Sequence, residues 1–103
     1  MPTGHAKATT PDGTVLAESD TWELVEGNVY FPPAAVTDPS VLVKSDQRTH
    51  CGWKGEARYY SIKVGDNDEL ANAAWYYPEP YEKALHIKDY IAFYKTKVNV
   101  STS

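Results

Sequence analysis

The clearest pattern in the chain is the alternation from Ala57 to Val64. Tyr60, Ile62 and Val64 fall on one side, and Tyr59, Ser61 and Lys63 on the other. A period of two is that of a β-strand. Shorter alternations predict further strands at Thr14–Ala17, Trp22–Val25, Val29–Phe31 and Val41–Val43. Turn residues separate them. Pro11-Asp12-Gly13 joins the weakly alternating His5–Thr10 to its return strand, and Glu26-Gly27-Asn28 closes a second hairpin. Gly65-Asp66-Asn67-Asp68 turns the long strand back into Leu70–Tyr77, which Pro78-Glu79-Pro80 stops because proline donates nothing to a ladder. Pro32–Val36 reads as one helical turn, and Tyr81–His86 as a short helix or 3₁₀ turn. Tyr90–Tyr94 is strand-like, and Val98–Val100 is a last short strand. The spacing of Tyr90, Phe93 and Tyr94 also fits a helix over Tyr81–Lys97, which is the competing reading. Short strands punctuated by Gly and Pro predict a mainly β fold: one small antiparallel sheet or barrel-like domain over 1–103 with one or two helical turns.

Composition narrows the picture. At 103 residues and 42% hydrophobic, the chain is sized for one domain with one core. Eight Tyr and three Trp against two Phe favour side chains that carry a polar handle, suited to pocket walls and interfaces as well as cores. A net charge of −4 lacks the basic footprint of a general nucleic-acid binder, so no nucleic acid is expected. A single cysteine makes no internal disulfide, and Met1–Thr10 holds no apolar run of a secretory leader. No stretch is apolar enough to span a membrane. The expectation is a cytoplasmic protein, monomer or homodimer, without a membrane partner.

Candidate chemistry concentrates in Thr49-His50-Cys51-Gly52-Trp53-Lys54-Gly55, with Ala74-Trp75-Tyr76-Tyr77-Pro78-Glu79-Pro80-Tyr81 as its counterpart. The two segments are expected to meet around a common hollow. Cys51 is a candidate nucleophile if His50 or Lys54 stabilises its thiolate. Neighbours in an extended strand point to opposite faces, so that pairing requires a turn, which Gly52 would permit; otherwise Cys51 is a small buried hydrophobe. Lys54 and Arg58, with Arg48 and His50 nearby, form the main basic concentration. They either meet an anionic ligand or keep a strand edge charged. Glu79 and Tyr81 look loop-borne. His5, His50, His86 and Cys51 show no paired ligand spacing, so no metal site is expected. Asp66, Asp68 and Glu69 read as solvated acids at a hairpin tip rather than as magnesium ligands.

Thr49-His50-Cys51 through Gly55, Ala57, Tyr59-Tyr60-Ser61, Ala73-Ala74-Trp75, Tyr77, Pro80, Tyr90, Ala92-Phe93-Tyr94 and Val98 together resemble the domain-of-unknown-function 427 family. The resemblance runs from about Trp22 to Val100. It implies a small, mainly β domain near the zinc-binding sheet folds called Mss-four-like, without their metal cysteines. It implies no established activity. The nucleotidyltransferase label sometimes attached to the family finds no phosphate-cradling glycine loop in this chain.

Three functions remain open. In the first, a binding module holds a small anionic or aromatic ligand against His50, Trp53, Lys54, Arg58, Tyr60, Trp75 and Tyr77. In the second, an enzyme or redox-active protein uses Cys51 with His50 or Lys54. In the third, exposed tyrosines form a protein-interaction surface. The sequence names no cofactor.

Overall fold

The structure, a computed structural model, describes residues 3–103. The first two positions of the Met1–Thr10 stretch lie outside the described residues. Nine strands follow in order: β1 (Thr3–Thr9), β2 (Val15–Thr21), β3 (Glu23–Val25), β4 (Asn28–Tyr30), β5 (Leu42–Cys51), β6 (Gly55–Ile62), β7 (Leu70–Tyr76), β8 (Ile91–Phe93) and β9 (Asn99–Thr102). Single 3₁₀ turns stand at Pro33–Ala35 and Pro39–Val41, and a longer one at Glu82–Ile87. The fold is mainly β with short helical turns, as the alternation predicts. The competing helix over Tyr81–Lys97 does not form. Tyr90 instead leads into β8, whose three residues are all buried.

The strands divide into three antiparallel sheets: β2-β1-β9, the hairpin β3-β4, and β5-β6-β7-β8. The hairpin abuts the β8 edge of the four-stranded sheet. There Phe31 and Ile91 exchange both backbone hydrogen bonds, at 2.8 and 2.9 Å. The Glu26-Gly27 turn of that hairpin is held from outside by Lys95, whose Nζ donates to the Gly27 carbonyl at 2.8 Å.

The length leads one to expect a single core. The chain buries two apolar clusters instead, because the four-stranded sheet has a packed face on each side. On one face, Ile62, Ala74, Ile91 and Phe93 pack against Ala6, Ala8, Leu16 and Ala17 of the β1-β2 pair, with Phe31 and Phe93 edge to face at 5.8 Å. On the other, Ala57, Tyr59, Trp75 and Ala92 pack under Val25 and Tyr30 of the hairpin and under Ala84 and Ile87 of the long 3₁₀ turn. Successive residues alternate between the clusters: Ala74 serves the first and Trp75 the second, and Ile91 the first and Ala92 the second.

β5 departs most from the sequence reading. It runs ten residues, not the three of Val41–Val43, and none of them is fully buried. It is the outer strand of its sheet and pairs with β6 alone. Its pairing jumps between Lys44 and Arg48, an irregularity that bends and blunts an edge. Asn72 of β7, at φ +50°, spans that gap: it hydrogen-bonds Ser45 and donates to Gln47 at 3.0 Å, while Ser61 accepts from its backbone N–H at 3.0 Å.

Gly52-Trp53-Lys54 turns β5 into β6, and Gly55 follows at φ +110°. A Cβ there would sit 3.3 Å from the Glu79 carbonyl oxygen, in a backbone region that other residues enter only with strain. Gly55→Ala is therefore expected to lower the unfolding free energy by about 1–3 kcal/mol. A shift in the urea midpoint with unchanged slope is the measurement that checks it.

Candidate functional site

The β5–β6 register sorts the candidate residues. Arg48 stands opposite Arg58, Thr49 opposite Ala57, His50 opposite Glu56, and Cys51 opposite Gly55. Side chains two apart share a face. Arg48, His50, Glu56 and Arg58 therefore lie on one side of the hairpin, and Thr49, Cys51, Ala57 and Tyr59 on the other.

The second side is a packed aromatic cluster. Trp75 and Tyr77 are 8% and 4% exposed. The Trp75 indole N–H donates to the Tyr30 hydroxyl at 3.1 Å, and the two rings meet at right angles. Tyr94 packs against Trp75 at 4.7 Å, and its hydroxyl donates to that of Tyr59, which also bonds Thr49 at 2.9 Å. Burial pushes the Tyr77 phenol up to about 12. It does the same for Tyr94, with help from the Tyr59 hydrogen bond. Among the described residues, every fully buried side-chain nitrogen or oxygen has a hydrogen-bond partner. No donor here is left waiting for a ligand.

Lys54 belongs to this packed side as well. It is 7% exposed, its ammonium hydrogen-bonds the Glu26 carboxylate, and it lies 5.5 Å from the Trp53 ring centre and 5.4 Å from that of Tyr77. Burial is the largest single influence and opposes its charge, but the Glu26 hydrogen bond, joined by the electrostatic pull of Tyr30, Tyr77 and Glu26, outweighs it and raises its pKa above the ordinary lysine value. The same bond, with the attraction of the ammonium, lowers Glu26. Trp53, 38% exposed, stands over the ammonium at the turn. Lys54 thus clips the β3–β4 hairpin to the β5–β6 turn. Its backbone carbonyl also accepts from Tyr81 at 3.0 Å, which fixes the loop after Pro80.

Cys51 is a half-buried free thiol packed against the aromatic cluster. Cys51 and Trp75 share this packed cluster with Tyr30, Tyr59 and Tyr77, and the hollow that their two segments have in common lies on the other face, between His50 and Pro78, Glu79 and Tyr81. His50 lies on the opposite face, and the Lys54 ammonium is engaged by Glu26. Among the described residues no hydrogen bond joins the sulfur to either. No group of three or more His, Cys, Asp or Glu side chains converges as metal ligands among them.

The open side is different. Arg48, His50, Glu56 and Arg58, with Pro78, Glu79 and Tyr81 from the following loop, line a groove of about 370 Å³. The His50 ring meets Tyr81 edge to face at 5.9 Å. Arg58 Nε donates to Glu56 Oε1 at 3.2 Å, and Arg48 lies 3.7 Å from the same oxygen. Two guanidinium groups thus share one carboxylate oxygen. Tyr60, the remaining candidate, lies farther along this face, stacked on Tyr76 at 4.6 Å. The seven candidate binding residues therefore separate: His50, Arg58 and Tyr60 on the open face, Trp75, Tyr77 and the Lys54 ammonium on the packed one, and Trp53 at the turn between them.

The sequence profile of a family described as a domain of unknown function (DUF427) matches residues 3–103. The chain belongs to the DUF427 family. No protein of curated function matches it. Membership thus fixes the kind of domain and leaves its chemistry to the geometry. In this DUF427 chain, sequence reasoning grouped Arg48, His50 and Arg58 as a basic concentration and gave Glu79 and Tyr81 as loop-borne in the counterpart segment, but did not place all five in one groove. It missed Glu56, Tyr76 and Glu26. The available signal was the turn: strands that meet at Cys51 and Gly55 must oppose His50 to Glu56 and Arg48 to Arg58.

The Lys54–Glu26 clip gives a pH test. The folded state lowers the Glu26 pKa, so its contribution is complete above the ordinary carboxyl value of 4.5 and is lost as pH falls below it. Glu26→Gln should melt below the wild type at pH 7, and the gap should be smaller at about pH 3. Thermal unfolding followed by near-ultraviolet circular dichroism at the two pH values measures it.

Proposed function

We propose that the protein is a binding module and that the Arg48–Arg58 groove receives the anionic group of a small ligand. The observation that carries this reading is the juxtaposition of the two arginines. Like charges directly opposite on neighbouring strands are unfavourable. Here one carboxylate oxygen serves both, with a single good hydrogen bond, so most of the guanidinium N–H donors remain open. Guanidinium forks match carboxylate and phosphate oxygens. Glu79 also lines the groove but makes no ion pair with either arginine within 4.0 Å among the described residues. An anion between Arg48 and Arg58 would relieve their repulsion. His50 would supply a further donor, and Tyr81, 48% exposed, an aromatic wall.

The reading is tested by titrating the protein with inorganic phosphate and following backbone amide shifts. Shifts should centre on Arg48, His50, Glu56 and Arg58. Arg48→Ala and Arg58→Ala should each weaken binding about tenfold or more, the scale of a lost charge-assisted hydrogen bond. Lys83→Ala, an exposed lysine on the long 3₁₀ turn, should leave affinity unchanged. Arg48→Ala should leave the melting temperature unchanged or raise it, since it removes one of two opposed charges. Shifts scattered over all surface lysines, equal in wild type and variants, would end this reading.

A further inference from the structure

Beyond the arginine groove, the same sheet face continues into a second cleft of about 520 Å³, lined by Pro33, Val36, Leu42, Tyr60, Tyr76 and Ile91, with Lys44 and Asp89 also bordering it. Its character is unlike that of the groove. The walls are aliphatic and aromatic, and the Tyr60 and Tyr76 rings lie nearly parallel, at 20°. Volumes of this size with apolar walls and few polar groups are typical of small-molecule sites. The polar groups are placed by backbone. Asp89 is held at φ +64°, a conformation aspartate tolerates better than most residues, and its N–H donates to the Tyr77 carbonyl at 3.0 Å. Lys44 is the cross-strand partner of Tyr60.

Arg58, which lines the groove, is the register neighbour of the cleft's two tyrosines. It is the cross-strand partner of Tyr76 and precedes Tyr60 by two residues on the same strand. Side chains so related stand about 5 Å and about 7 Å apart, and share a face. The geometry points to a second subsite: the tyrosine-walled cleft takes the planar ring system of a ligand whose anionic end lies on Arg58 and Arg48. Charge fixes the direction. Lys44 and Asp89 carry opposite signs, so the cleft has no net charge of its own to hold an anion. The open guanidinium donors lie at the other end. A flat ring finds dispersion contact with the tyrosines and aliphatic walls, and a fused pair of rings finds more. The ligand class is therefore a planar aromatic compound bearing one terminal carboxylate or phosphate. This inference rests on the anion reading of the groove.

Amide and aromatic NMR titrations with inorganic phosphate, 1-naphthoate and 1-naphthyl phosphate separate the two claims. Both naphthyl probes should bind at least about tenfold tighter than phosphate, the effect of burying a modest apolar area. They should add shifts at Leu42, Tyr60, Tyr76 and Asp89 to those at Arg48 and Arg58. Comparing the two probes tells a carboxylate site from a phosphate site. Tyr60→Leu should bring naphthyl affinity down to the phosphate level while phosphate affinity holds. Intermolecular nuclear Overhauser effects from naphthyl protons to the Tyr60 and Tyr76 rings in the unaltered protein give the same answer if the variant fails to fold. Phosphate binding at the arginines with no naphthyl advantage, or naphthyl contacts elsewhere, would overturn the subsite and leave the groove standing. No phosphate response at the arginines would overturn the groove itself.

Discussion

The molecule depends on the register of one hairpin. Strands β5 and β6 meet at Cys51 and Gly55, and that single pairing decides the side of every residue before and after it. A slip of one position would carry Arg58 into the aromatic cluster and Ala57 and Tyr59 into solvent. Two features hold the register. Gly55 takes a backbone conformation that other residues enter only with strain, and a Cβ there would press on the Glu79 carbonyl at 3.3 Å. Lys54 anchors the turn by its ammonium to Glu26 and by its carbonyl to the Tyr81 N–H. Both contacts join distant parts of the chain and tie the turn to the β3–β4 hairpin and to the loop after Pro80.

The register gives the sheet two unequal faces near this hairpin. One is finished: Trp75, Tyr30, Tyr59 and Tyr94 satisfy one another's polar atoms, and burial raises the pKa of the Tyr30 and Tyr94 phenols. Tyrosine suits that cluster because the Tyr30 hydroxyl accepts from the buried Trp75 indole and the Tyr59 hydroxyl reaches Thr49 on the edge strand. The other face is unfinished. Arg48 and Arg58 repel across the strands with only Glu56 between them. A protein under selection for stability alone gains nothing from that pair.

Fold and site were legible to different degrees, for physical reasons. β6 was plain because it buries every second residue from Gly55 to Ser61, and alternation is the trace burial leaves in sequence; β7, with Ala73, Ala74 and Trp75 buried in succession, was read from the turn before it and the prolines after it. Most of β5 was hidden because it is an edge strand with no buried face; Lys44, Arg48, Thr49 and His50 are held by backbone pairing to β6, which no side-chain pattern records. The second core was also hidden, since composition gives the amount of apolar surface and not its division across a sheet. Trp75 and Tyr77 were readable as aromatic, but their aromaticity did not tell wall from core. That distinction came from Tyr30, a residue forty-five positions away whose hydroxyl accepts from the Trp75 indole. The local pairing of Cys51 with His50 fails for the reason the strand geometry gives: neighbours point apart.

The charge of the whole molecule and that of its open face work together. A net charge of −4 repels a long polyanion, whose many phosphates would sample the entire surface. A small ligand senses charge only over roughly 8 Å in physiological salt, so within the groove it meets the two guanidiniums and not the distant acids. The same balance limits affinity. Glu56 and Glu79 flank the arginines, and a bare anion must compete with one carboxylate and lie near the other. Charge alone would therefore hold an anion weakly. Tighter binding has to draw on apolar contact, and on this face that contact is available where Arg58 gives way to the stacked rings of Tyr60 and Tyr76.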